Sequence, residues 1–489
     1  MSSIPANHPS TATSRALAWA LPPLVFLSVY WLGLWVWFHT DDFSLLWTVM
    51  LPDSEFWPQL LTPRAQGTLR PLSERLFFRF FYEAFGLNAF PYRAWVFGSQ
   101  IVNLWLFAAL ARRLTGSWPT ATLAACLWGV HHGLAVAMSW SSAYNQALFS
   151  FFVLVGLHAW ARFCEGGGWG WYLLQWLIVP LGFGALESMV VYPALALLYG
   201  LCFRRRRWVW ALPLFAVSAG LTAFQMSVRP PDDSGLYAMS LAPLSLFDTF
   251  VQYVEWGFVG RACESWAPAA WALGPALLAF AAWQWSKGRA AALFGCGLFV
   301  AALAPYLPLA GHRSDYYLFL PAAGLALAAA EASRAAWLSG WPARAGVAAA
   351  LGFCVWTWVA TARSIVDYGY ETSIRARNLV TGLRYVRERN PNKTILLSGV
   401  DASFFYASIY HDLFQLAGVY DVYLTPDQTT VEQWPGYQPI DRFILPAADA
   451  LLELRRDTAV VYDASGMRLQ EQTRKYKLRA PARLKALAR

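Results

Sequence analysis

Eleven long apolar stretches, separated by short polar loops, set the frame for this chain. They lie near 16–38, 92–111, 117–137, 142–162, 169–186, 188–203, 208–228, 268–286, 290–309, 317–338 and 343–361. A helix of about 20 apolar residues crosses a hydrocarbon core. Inside that core a chain must satisfy its own backbone hydrogen bonds, so stretches of this length are read as helices. Of the 489 residues, 57% are hydrophobic and 14% charged, against about 25% charged in a soluble domain. The expected fold is an α-helical polytopic membrane protein of about 11 transmembrane helices, with a small C-terminal α/β soluble domain. The 27 Trp and 22 Tyr suit aromatic belts at the two interfaces.

Charge then assigns the sides. Arg112-Arg113, Arg162, Arg204 to Arg207, Lys287 with Arg289, and Arg334 with Arg344 fall on one side. The positive-inside rule makes that side cytoplasmic, with the N-terminus. The opposite side receives Asp41-Asp42, His131-His132, Glu187, the 229–267 loop, His312 to Tyr317 and the C-terminal region; in a bacterial inner membrane it is the periplasm. Met1 to Ser14 is polar, and the first span is too long and lacks a small-residue cleavage pattern, so it reads as an anchor. The net charge of +9 lies largely in short loops that set orientation and gives no nucleic-acid signal. Five of the six cysteines fall in or beside apolar spans and none forms a CxxC pair, which predicts neither a disulfide framework nor a zinc site.

The first outer loop, 39–91, is too long to be a simple connector. In Leu69 to Phe85, four phenylalanines alternate with Glu74, Arg75, Arg79 and Glu83, the pattern of an amphipathic helix lying in the interface, with Pro71 near its start. A catalytic transmembrane domain is expected over 1–364 and an outer α/β domain over 365–489. In the latter, Arg375 to Arg389 reads as a helix and Thr394 to Gly399 as a buried strand. Helix follows around Phe404 to Leu416, then strands at Val419 to Leu424, Phe443 to Leu445 and Ala459 to Tyr462.

Several polar residues at the outer edge are candidates for chemistry. Asp41 and Asp42 follow the first span at once, a costly place for two carboxylates unless they merely end the span in water. One of them suits a general base taking a proton from a hydroxyl, because a like charge alongside raises one pKa toward neutrality. Arg64, Arg70, Arg75, Arg79 and Arg93 lie in the first outer loop against the positive-inside trend. A guanidinium matches phosphate bidentately, and Arg70 is the best candidate for a lipid phosphate. His131 and His132, on a helix, would face different ways and so share no metal; one of them suits a phosphate or sugar contact. Glu187, between apolar runs, is either a cavity residue or a structural partner for an arginine. His312 to Tyr317 places Arg313, Asp315 and Tyr316 at one outer edge, with Arg313 a second phosphate candidate. No ligand set for a required metal is seen, although two acids can recruit a divalent ion. The glycine run after Cys164 reads as a turn, Asn392-Lys393-Thr394 as a chance acceptor pattern, and the basic tail Arg474 to Arg489 as solvated or touching anionic lipid.

In this order the residues resemble the GT-C class of membrane glycosyltransferases, and most nearly the dolichyl-phosphate-mannose protein O-mannosyltransferase relatives. Asp41-Asp42 matches the acidic motif of their first outer loop, and Arg70-Pro71-Leu72-Ser73 their loop motif. Leu186-Glu187-Ser188 falls where they carry Lys-Glu-Ser, and Asp315 to Pro321 resembles their Glu-Arg-Tyr-Leu-Tyr-Leu-Pro stretch. His131 stands at their His-Pro pair with His132 for the proline, Leu186 replaces the lysine, and Tyr316 the arginine. The resemblance covers roughly 16–361 and implies an inverting hexosyl- or mannosyltransferase. It implies a polyprenyl-phosphate sugar donor and a hydroxyl acceptor on protein, glycan or lipid at the outer membrane face. Asp41 or Asp42 would be the base, Arg70, Arg313 and His131 the phosphate ligands, and Glu187, His132, Asp315 and Tyr316 cavity residues. Two alternatives stand beside it. A flippase for a polyprenyl-linked intermediate is disfavoured by the absence of an inverted repeat and by charges away from the midplane. An O-antigen ligase or polymerase is disfavoured by the short late loop at 310–316.

Overall fold

The computed structural model describes residues 12–64, 67–203, 205–228, 238–428, 431–434 and 437–479. Arg204, residues 229–237 of the outer loop and the end of the basic tail lie outside the described residues.

Helices occupy all eleven apolar stretches. Among the described residues, five are individually long and apolar enough to cross a membrane, and six if the bent pair Trp118–Val130 and His132–Ser139 is one span. The turns between them follow from local chemistry. The Ala89–Thr115 helix ends on Gly116, left-handed at φ 73, with Arg112 and Arg113 in its last turn. Ser117 then caps Trp118–Val130, its hydroxyl accepting from the Thr120 amide, with Pro119 in the first turn. The expected span 117–137 is broken at His131, where the backbone turns extended (ψ 129) and the axis bends by 57°.

Close packing inside the bundle uses glycine. A Cβ on Gly295 or Gly324 would come inside 3 Å of the facing backbone, so the Ala291–Leu303 and Pro321–Ser339 helices approach at hydrogen-for-side-chain distance. The stretch expected to lie in the interface is helical. Pro71–Leu76 forms a wide π-helical turn and Phe77–Phe85 continues it, burying Phe77, Phe78 and Phe81 while Phe80 and Phe85 stay exposed.

The longest helix, Trp341–Arg389, has 49 residues. At about 1.5 Å per residue it is roughly 70 Å long, more than twice a hydrocarbon core of about 30 Å, so much of it stands outside the membrane. The expected domain boundary at 364/365 falls inside this rod. Its distal half buries Leu379, Val380, Leu383 and Val386 with the C-terminal unit. That unit is a four-stranded sheet, ordered β2-β1-β3-β4, of β1 (Thr394–Ser398), β2 (Val422–Leu424), β3 (Ala459–Asp463) and β4 (Gln470–Glu471). The first three strands are parallel and β4 is antiparallel to β3. The strand expected at Phe443 to Leu445 is instead a helical turn, Ile440–Phe443, followed by a single bridge from Ile444 to Leu424. All six cysteines are free thiols.

Overpacking the glycine contact tests this bundle. Gly324→Val is expected to lower stability in detergent by roughly 1–3 kcal/mol, read as a lower melting temperature. Gly346→Ala, which has open space around it, serves as the neutral control.

Candidate active site

The segment that follows the first span is tied down residue by residue. The Trp37 amide donates to Ser373 Oγ (3.0 Å) on the long helix, and the Trp37 indole to the Leu87 carbonyl (3.1 Å). His39 is buried, and burial lowers its pKa to about 4, so the ring is neutral. Its Nε2 then donates to the Ser139 carbonyl (2.7 Å), and Nδ1 accepts from the Thr40 hydroxyl (2.9 Å). Thr40 is left-handed at φ 54, an unfavourable region for a β-branched residue, and its amide donates to the Ala407 carbonyl of the C-terminal unit (2.7 Å).

This anchoring separates the two aspartates. Asp42 is fully buried; its Oδ1 accepts from the Ser142 amide (2.7 Å) and hydroxyl (2.6 Å), and its Oδ2 from the His39 amide (3.3 Å). Burial pushes its carboxyl up to about 7, against the lowering pull of those bonds and of Arg93. Asp41 makes no capping hydrogen bond to the short helix Asp42–Val49, and its carboxylate opens into a cavity. Its Oδ1 lies 3.2 Å from His411 Nδ1 of the C-terminal unit.

The cavity is also lined by Arg64, Arg70, Glu74, Glu187 and Tyr316. Arg70 grips Glu187 with two parallel hydrogen bonds, Nε to Oε2 at 2.7 Å and the second nitrogen to Oε1, and donates to Glu74 at 2.9 Å. Arg64 approaches the other Glu74 oxygen at 3.6 Å and donates to Ser44 (2.9 Å). Arg75 is buried near Arg64 and Glu74, and burial and then Arg64 depress its pKa. It has no ion pair with any of the described residues. Two carboxylates thus hold a cluster of guanidiniums in fixed geometry beside Asp41.

The structure therefore brings Asp41, Arg70, Glu187 and Tyr316 to one cavity. It places the other candidates elsewhere. Asp42 stands behind the wall, through Ser142. Arg313 pairs with Asp248 outside the cavity lining. His131 accepts from the Gly133 amide (3.0 Å), donates to the Gly257 carbonyl (3.2 Å) and packs on Trp358. His132 is buried 3.7 Å from Asp315, which Arg261 approaches at 3.6 Å; burial raises the Asp315 carboxyl. The two histidine rings do not diverge as helical neighbours would. The helix ends at Val130, and they stack at 4.6 Å. Sequence reasoning singled out neither Glu74 nor His411. The first was detectable as a carboxylate four residues after Arg70; the second lies on a separate unit and has no local signal. Among the described residues no group of three or more His, Cys, Asp or Glu is placed to hold a metal ion.

No family model matches the chain, and no curated protein matches it. Among solved structures it is similar to ArnT from Cupriavidus metallidurans bound to undecaprenyl phosphate, with a TM-score of 0.47 and 14% identity over 94% of this chain and 98% of that one. The apo form of the same protein gives a TM-score of 0.45 and 14% identity, covering 93% of each chain.

Asp42 generates a pH prediction. Its folded pKa of about 7 exceeds the ordinary 3.8, so between those values the folded chain binds more protons than the unfolded chain. Its contribution therefore makes stability fall as pH rises across that window. Melting temperatures of wild type should decline from pH 4 to pH 7 more steeply than those of Asp42→Asn; parallel curves would refute the assignment.

Proposed function

We propose that this protein is an inverting GT-C glycosyltransferase, moving a sugar from a polyprenyl-phosphate donor to a hydroxyl acceptor at the outer face of the membrane. The observation that carries it is the single cavity holding an uncapped carboxylate, Asp41, beside a cluster of carboxylate-held arginines. Such a cavity has the two parts a one-step displacement needs: a base for the nucleophile and cations for the leaving phosphate.

In this reading the acceptor hydroxyl loses its proton to Asp41 as its oxygen attacks the anomeric carbon. The bond from that carbon to the phosphate oxygen breaks, and the polyprenyl phosphate leaves with its electron pair. The anomeric centre inverts because no sugar–enzyme bond forms. Arg70 meets the departing phosphate, exchanging part of its grip on Glu187, with Arg64 close enough through Glu74 to share the charge. The residues match the acidic loop motif and Arg70-Pro71 motif of the resemblance. The run of arginines on the other set of loops supports an outward-facing cavity, in a bacterial inner membrane the periplasmic side. Hexosyl specificity and a protein, glycan or lipid acceptor are the donor and acceptor classes to screen first.

Membranes carrying wild type, Asp41→Asn and Arg70→Ala, assayed with a radiolabelled polyprenyl-phosphate sugar panel, test this. Asp41→Asn should lose about 10²–10⁴ of the rate, the range for a positioned base, with expression unchanged. Arg70→Ala should also fall, since removing one charge-stabilising donor costs about 10²–10³. Undiminished transfer by Asp41→Asn would remove the carboxylate from the chemistry.

A further inference from the structure

Beside the cavity, the C-terminal unit meets the carboxylate of Asp41. Three observations converge there. His411 Nδ1 lies 3.2 Å from Asp41 Oδ1, with both side chains mostly shielded from solvent. The Thr40 amide, one residue before Asp41, donates to the Ala407 carbonyl (2.7 Å), four residues before His411. Each member of the pair adjoins a non-glycine residue held left-handed, Thr40 at φ 54 and Asp412 at φ 59. Backbone strain of this kind persists only where the surroundings over-determine it, and it concentrates at functional sites.

From this geometry, and resting on the glycosyltransferase reading above, we propose that His411 is a positioning residue for the base Asp41, so that the active site is complete only with the C-terminal unit docked. His411 occupies Oδ1 and leaves Oδ2 to take the acceptor's proton. The groups around the pair are mixed. His39 and Arg64 face it from the first outer loop and His312 from the late loop. Asp412, Tyr406, Tyr410 and Tyr437 belong to the C-terminal unit. Burial lowers the His411 pKa, and Asp41 raises it. Removing the Asp41 charge therefore leaves burial unopposed by it, and His411 titrates lower.

Two readouts separate this proposal from its parent. In the first, the full-length protein in detergent carries ¹³Cε1-labelled histidine, and His411 is assigned by its loss in His411→Asn. In Asp41→Asn the His411 resonance should titrate measurably lower than in wild type, the effect of losing an opposite charge at this range. An unchanged titration overturns the pair, whatever the enzyme's activity. In the second, transfer kinetics compare His411→Leu with His411→Asn, whose amide can replace Nδ1. His411→Leu should lower kcat about 10- to 100-fold with donor KM held, with His411→Asn restoring much of the rate. The double variant Asp41→Asn/His411→Leu should be no slower than Asp41→Asn alone. Wild-type kinetics in His411→Leu, with Asp41→Asn inactive, would overturn the positioning role and leave the glycosyltransferase reading standing. A wild type inactive with every donor would overturn both.

Discussion

A buried carboxylate with every oxygen engaged organises this molecule. Asp42 accepts from the Ser142 amide and hydroxyl and from the His39 amide. A carboxylate taken out of water must find such partners or a proton. Satisfying it fixes the exit of the first span against the turn at 141–143. Asp41 precedes it at the start of the same short helix, where neighbouring side chains point different ways. The burial of one aspartate thereby aims the other at the cavity.

The guanidinium cluster obeys the same constraint from the other sign. Arg70, 18% exposed at its side chain, and Arg64 would be costly beside lipid without counter-ions. Glu187 and Glu74 supply them. In the proposed reaction, phosphate entry is an exchange of one oxyanion for another at a preset guanidinium, with less net attraction but with geometry already formed. Preorganised charge of this kind stabilises a transition state without further rearrangement.

What was legible in the sequence was whatever rests on local pattern. Hydropathy located the helices, and the phenylalanines set among Glu74, Arg75, Arg79 and Glu83 located the helical stretch that buries Phe77, Phe78 and Phe81. The adjacent aspartates were visible, but which one faces the cavity depends on Ser142, a hundred residues on. The pairing of Arg70 with Glu187 was open as one of two readings and needed the tertiary fold to decide it. His131 could not be recognised as a helix break, because its extended backbone answers to the packing of Gly257 and Trp358. The short β4 carries only two residues, below any periodic signal. The 364/365 boundary marked a change in solvent, whereas the helix itself continues, since amphipathic sequence supports a rod on both sides of an interface.

That rod explains how parts from two environments meet with the precision a reaction needs. Trp341–Arg389 leaves the bilayer, offers Ser373 Oγ to the Trp37 amide, and further along carries the sheet whose neighbouring turn presents Ala407 and His411. The segment 37–42 is thus bonded to the helical bundle through Ser139 and Ser142, to the rod through Ser373, and to the C-terminal unit through Ala407. A reacting carboxylate must be held within about 0.5 Å of its productive position, and rigid elements achieve this better than loops. The same helix tethers the Asp41 segment and bears the domain that contacts it, so a shift of that domain is also a shift of the candidate base.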